Sequence, residues 1–300
     1  MSENSLDIPS VAEELQSVIE DVERLRRERP HAAMFVDPFA KVLLARTPLV
    51  AELAETFGKG LLPEVDKVRM GQGAPLEQRD AIPMDEAMLR RIFEALQQTL
   101  LESFPAARAD LMNIGMAADR KEGFLLEVAR DMMGDRQKLV INMAHTFGVD
   151  ARVMGFWCIQ LLTPLAMARG RVLHDLVPED IWNRGYCPVC GSWPSLAHRH
   201  ETGRDLTCSF CSTTWHYTAD ACPFCDAEGA SGQVMALPGN QTERLVVCSN
   251  CRQYLGEIVG EPFPGMTPEV EALALAPLEL LARQQGLAPA NLDWRQMLWL

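Results

Sequence analysis

The chemistry this chain can do is concentrated in eight cysteines at one spacing. Cys187/Cys190, Cys208/Cys211, Cys222/Cys225 and Cys248/Cys251 form four Cys-x-x-Cys pairs within residues 186–256. Two residues between thiolates let both sulfurs reach one metal from a tight turn, and two such turns complete a tetrahedral S4 shell. Four pairs therefore make two shells. The pairs are not equivalent: the first and third read Cys-Pro-x-Cys, the second and fourth Cys-Ser-x-Cys. The unit CPxC…CSxC thus occurs twice, with heads 35 residues apart and internal gaps of 17 and 22 residues, enough for a short hairpin. Only ten residues separate the second pair from the third. Sequential grouping follows: Cys187, Cys190, Cys208 and Cys211 on one metal; Cys222, Cys225, Cys248 and Cys251 on the other. An interleaved, RING-like grouping is the alternative.

Turns of this kind commonly place glycine after the second cysteine, where positive φ relaxes the chain around the metal. Only the first pair has it, at Gly191; Ser212, Asp226 and Arg252 stand at the equivalent places. Each of these is expected in the left-handed region at about 1 kcal/mol. Spacing does not separate zinc from iron, since both accept four thiolates in a tetrahedron. With eight thiolates for two ions no coordination position is left for water, which argues against hydrolysis at the metals. Thioredoxin-like exchange lacks a βαβ setting. Cys158 stands alone on an apolar helix and reads as a core residue. His198, His200 and His216 lie inside the cysteine module as substitute ligands with no thiolate left to replace. The sequence contains no P-loop, no GxGxxG after a strand and no GxSxG, so it offers no positive case for an enzyme.

The bulk composition narrows the function classes. Net charge is −13, and residues 184–262 hold five Arg, no Lys and eight Asp or Glu. Nucleic-acid binding draws on Lys and Arg neutralising phosphates, so a zinc-ribbon DNA reader is disfavoured. The N-terminal MSENSLDIPSVAEEL is acidic and has no apolar run, and the segment after Arg26-Arg27 is no h-region, so neither reads as an export signal. The most apolar stretch, Val153 to Ala168, is too short and interrupted to span a bilayer. A cytoplasmic location is expected, where Cys-x-x-Cys pairs are metal ligands or redox groups.

These cysteines must be positioned by the surrounding elements. Ser10 and Glu13 have capping-box spacing and open a helix over 10–29. Asp37-Pro38 and Thr47-Pro48 each signal a further helix start. Residues 58–83, rich in Gly and Pro, read as a long connection and a candidate contact surface. Helical patterns follow from Met84 through Ser103 and near 106–117, 121–133 and 136–147, with 150–169 as the central core helix. Within the module, Leu206-Thr207, Trp215–Thr218, Gln233–Leu237 and Arg244–Val247 are strand candidates. Thr267-Pro268 caps a helix over 268–285, and the last ten residues bring Trp294, Leu298 and Trp299 to an apolar turn that needs cover.

At YCPVCGSWP (186–194), CSFCSTTWHY (208–217), CPFC (222–225) and CSNCRQYL (248–255), the chain resembles the formate dehydrogenase accessory proteins of the FdhE family. Trp-His after the second pair and Tyr-Leu after the fourth make this signature far more specific than any single pair. The chain departs from the family in having Gly256 where Lys often follows Tyr-Leu, and in lacking three of the knuckle glycines. The resemblance implies α plus small β architecture in four parts. These are a helical domain (1–183), two tandem rubredoxin-like or zinc-ribbon-like four-cysteine units (184–219 and 220–262) and a helical tail (263–300). It further implies a non-enzymatic cytoplasmic factor that binds the molybdenum-containing catalytic subunit of formate dehydrogenase before twin-arginine export. Rubredoxin-type iron would be held by the eight paired cysteines. A rubredoxin-like electron-transfer protein is the alternative.

Overall fold

The computed structural model describes residues 10–134, 137–178, 180–228 and 232–290. Helix α1 (Val11–Glu28) opens with the expected capping box: Ser10 N–H donates to Glu13 Oε2 at 2.7 Å and Glu13 N–H to Ser10 Oγ at 3.3 Å. Helix α2 runs unbroken over Ala33–Gly58, through both Pro38 and Pro48, where two helix starts were expected. An interior proline costs about 3 kcal/mol. Against that, α2 buries Phe35, Phe39, Leu43, Leu49, Leu53 and Phe57 among others, each worth about 1.5–3 kcal/mol. Burial along the whole length outweighs two local stop signals.

The polypeptide then crosses a strap, residues 59–85, that holds the short α3 (Lys67–Gly71), capped by Asp66. Helices α4 (Glu86–Ser103), α5 (Arg108–Arg120), α6 (Phe124–Met133) and α7 (Gln137–Phe147) follow close to their expected places. They surround α8 (Ala151–Leu173), in which every residue from Val153 to Gly170 is buried. The helix runs beyond the Val153–Ala168 stretch that read as too short to span a bilayer and by length and composition alone could cross one, yet 89% of its most apolar window is buried inside the protein. Cys158 lies at 0% exposure in this core, and burial pushes its thiol well above the usual range.

The cysteine module forms one sheet. Strands β1 (Pro194–His200), β2 (Gly203–Cys208) and β3 (Thr214–Tyr217) form an antiparallel meander; β4 (Gln233–Ala236), β5 (Glu243–Val247) and β6 (Gln253–Val259) form a second. The order is β3-β2-β1-β6-β5-β4, so the first strand of one unit meets the last strand of the other. That junction is parallel, with Leu196–Arg199 alongside Gly256–Val259. Its strands, β1 and β6, are the two that local pattern did not reveal: β1 reads PSLAHRH and β6 contains Gly256.

Helices α9 (Pro268–Ala272) and α10 (Ala276–Gln284) cover one face of this sheet. There Leu196, Leu245, Val247, Tyr254 and Ile258 pack with Leu275, Leu278 and Ala282 in a second core. Gly256 belongs to this packing: a Cβ there would stand 2.5 Å from Leu275 Cδ1. Thr267 occupies the expected start of α9, but its hydroxyl donates to Asp21 Oδ2 of α1 at 2.7 Å and makes no cap. The two-residue strand β7 (Ala288–Pro289) pairs with β6. The apolar terminal segment with Trp294, Leu298 and Trp299 lies outside the described residues.

Candidate metal centres

The first, second and fourth Cys-x-x-Cys pairs sit on knuckles that lead directly into β1, β3 and β6. At the first, Gly191 N–H donates to Cys187 O at 3.0 Å and Cys187 N–H to Ser192 O at 2.8 Å. The third and fourth repeat this with Asp226 N–H on Cys222 O and Arg252 N–H on Cys248 O, each at 2.9 Å. The residue after each second cysteine has positive φ: Gly191 73°, Ser212 58°, Asp226 55° and Arg252 60°. Three non-glycine residues thus accept left-handed backbone, as their positions in the repeat require.

The knuckles meet in sequential pairs. Cys187, Cys190, Cys208 and Cys211 form centre 1, and Cys222, Cys225, Cys248 and Cys251 form centre 2, with the four sulfurs of each set within 4.8 Å of one another. Between knuckles the Sγ–Sγ distances are 3.6 and 3.6 Å in centre 1, and 3.9 and 3.7 Å in centre 2. A tetrahedron of sulfurs at about 2.3 Å from a metal has edges of about 3.8 Å, so both cages fit zinc or iron of ordinary size. A disulfide would need about 2.05 Å. Burial pushes the Cys187, Cys208 and Cys222 thiols above their usual range, so four thiolates together call for a cation to balance them. The amide of Asn250 and the backbone N–H of Ala227 hold Cys225 down to about 7. Other groups also reach the sulfurs: Cys208 Sγ accepts from Phe210 N–H at 3.4 Å within its own knuckle, and Asn250 Nδ2 of the fourth knuckle donates to Cys225 Sγ of the third at 3.4 Å.

The remaining candidates stand apart from both cages. His198 pairs with Glu271, while His200 and His216 share Asp205 at 3.0 and 2.7 Å. None of the three is a fifth or substitute ligand.

The strap is the segment that the sequence marked as a long connection and candidate contact surface, and it packs against the first knuckle. Leu76 N–H donates to Pro188 O at 2.8 Å and Glu77 N–H to Val189 O at 2.9 Å, so the strap lies on the two residues inside the first knuckle. The Tyr186 hydroxyl donates to Gly73 O at 2.7 Å. Glu77 receives Arg169 of α8 through both carboxylate oxygens, at 2.7 and 2.9 Å, in a pair almost fully withdrawn from solvent. From the other side, α8 presses Gly170 against the second knuckle: a Cβ at Gly170 would stand 2.6 Å from Cys211 O. Trp193 then stacks edge-on to Tyr186 and Phe224, at 5.7 and 5.9 Å, joining the first knuckle to the third. The only sequence hint of the strap was its length, since a long connection in a compact domain needs something to do.

No family model matches the chain. Among curated proteins, an FdhE homologue of Aquifex aeolicus is 27% identical over 161 residues, covering 50% of this chain and 56% of that protein. An FdhE homologue of Proteus mirabilis is 25% identical over 211 residues, covering 69% and 64%. FdhE of Escherichia coli is 30% identical over 115 residues, covering 37% of each. The matched segments span less than two thirds of these relatives' own lengths. The crystal structure of the FdhE protein from Pseudomonas aeruginosa matches with a TM-score of 0.57 over 97% of both chains at 20% identity, which shows a common fold.

Proposed function

We propose that the chain is a member of the FdhE family, which it resembles in sequence over half to two thirds of its length and in fold over nearly all of it, and that it is a non-enzymatic assembly factor for formate dehydrogenase. It binds the catalytic subunit of that enzyme in the cytoplasm, before export. The observation that carries this reading is the closure of both cages: each brings four cysteine sulfurs within 4.8 Å of one another, so an ion held there would have no position for water or substrate. The cages then hold the shape of a docking module and do no hydrolysis. Cys187, Cys190, Cys208 and Cys211 hold one ion, and Cys222, Cys225, Cys248 and Cys251 the other. Iron is the favoured metal on the family resemblance, and it would supply one-electron chemistry where zinc supplies only shape. The net charge of −13 favours a protein client over nucleic acid.

The deciding experiment is affinity capture of the tagged protein from cells grown on formate. The catalytic subunit of formate dehydrogenase is expected in the eluate. Its consistent absence, with the bait soluble and metal-loaded, overturns the proposal. A second reading, electron transfer between partners, is favoured by one observation, the half-buried Cys225 and Cys251 at the surface of centre 2. Protein purified without oxygen and carrying only zinc would remove it.

A further inference from the structure

The sheet face opposite the tail helices carries an arrangement of charge that cage formation does not require. Arg199 on β1 and Arg204 on β2 stand directly across from each other in the antiparallel pair. Like charges so placed destabilise a sheet. Arg204 is 6% exposed. One of its terminal nitrogens donates to Ala221 O, and the guanidinium lies 5.2 Å from the Tyr217 ring. Its Nε, also buried, has no hydrogen-bond partner among the described residues. Nor does a neighbouring carboxylate settle the balance. Glu257 is fully buried and is shared, with Arg199 on one oxygen and Arg244 on the other. Three guanidiniums therefore face one buried acid, and the other carboxylate at the cleft, Asp220, is exposed to solvent.

A cleft of about 60 Å³ opens beside Arg199 and Arg204. Pro223, Phe224, Val246 and Leu255 give it apolar walls, Cys222 and Cys248 of centre 2 line it as well, and the exposed Asp220 adjoins it. The thiolates of centre 2 offset part of the positive charge. A counter-ion for the cage, however, requires no cleft and would not leave one nitrogen of a buried guanidinium bare.

We propose that this cleft binds a single carboxylate group, held between Arg199 and Arg204. A carboxylate is planar and matches the paired N–H groups of a guanidinium, and its carbon stem suits Phe224 and Leu255. The cleft suits the end of a side chain, a chain terminus or a small free acid. The site joins residues of both cysteine units, so an acid bound there also ties the two halves of the sheet together. The inference stands on the cleft alone and does not depend on which client the protein serves.

The test uses metal-loaded full-length protein labelled with ¹⁵N, following the arginine Nε–H resonances. Sodium acetate is titrated against sodium chloride at constant ionic strength. The Arg204 Nε–H signal is expected to shift saturably with acetate and not with chloride. Arg199→Met, with its metal content confirmed, is expected to weaken the effect at least tenfold. If that variant does not fold, Arg199→Lys keeps the charge, loses the planar fork and should show the same loss. Two short peptides that differ only by Glu or Gln then distinguish the source. Half-saturation by the Glu peptide at a concentration tenfold below acetate assigns the site to a partner polypeptide, and equal values assign it to free acids. No saturable shift with acetate or the Glu peptide, or an undiminished shift in the Arg199 variants, overturns the proposal.

Discussion

Centre 1 holds its four cysteines at 0–5% exposure, between the strap and the end of α8, and its sulfurs belong to the same continuous core as the helical domain. Centre 2, made by the second copy of the same repeat, leaves Cys225 and Cys251 half-buried and, among the described residues, has no strap. Cage geometry is alike in the two, so the difference comes from what packs around them. Thiolate exchange with solvent requires a path to the sulfurs. At centre 2 that path exists in the folded state; at centre 1 the strap must lift and the buried Glu77–Arg169 pair must separate. The helical domain is therefore tied to centre 1, whereas among the described residues centre 2 keeps two sulfurs partly open to solvent.

The largest test of this contrast is ligand removal. A structural tetrathiolate ion contributes on the order of 10 kcal/mol, comparable with the stability of a whole domain. Cys190→Ser is expected to abolish the main cooperative thermal transition, whereas Cys251→Ser should lose one metal and keep the helical transition. Equal melting of the two variants would remove the distinction between the centres.

Separating the strap from α8 is the next largest effect. Glu77→Ala leaves Arg169 buried without its partner, at about 3–5 kcal/mol by urea unfolding. In the parent protein an excess of chelator should extract metal in two phases, centre 2 first. In the Glu77 variant the slow phase should accelerate and the fast phase should stay unchanged. A single phase in the parent protein contradicts the contrast.

Gly170→Ala probes the contact between α8 and the second knuckle. The added Cβ has only 2.6 Å to Cys211 O, a backbone atom that cannot swing aside. Overpacking of this kind costs about 1–3 kcal/mol, and the slow metal-release phase should report it. The smallest effect sharpens the picture at centre 2. Asp226→Gly removes a side chain from left-handed backbone at φ 55° and should stabilise by about 1 kcal/mol, slowing the fast phase alone.

Much of the site was legible because knuckle chemistry is local. Two residues between cysteines, a proline or serine after the first and a left-handed residue after the second are all set within a few positions. The same holds for the α1 capping box and for α8, whose length and apolarity marked it as the core helix. Local signals failed where distant burial overruled them. Pro38 and Pro48 failed to break α2, and the Thr267 hydroxyl went to Asp21 rather than to a cap. Gly256, conspicuous in sequence only as a departure from the FdhE pattern, makes sense once Leu275 lies over it.

The sequence by itself determined that there are two four-cysteine units, which cysteines begin and end each knuckle, and that the remaining chain is largely helical. Those properties depend on separations of a few to about twenty residues, over which the chain has few alternatives. Tertiary structure decided that the units fuse through the parallel β1–β6 junction, that a strap from more than a hundred residues upstream closes on one cage, and that the other cage stays at the surface. Contacts at such separations are chosen by the burial of whole faces, which no local run of residues encodes.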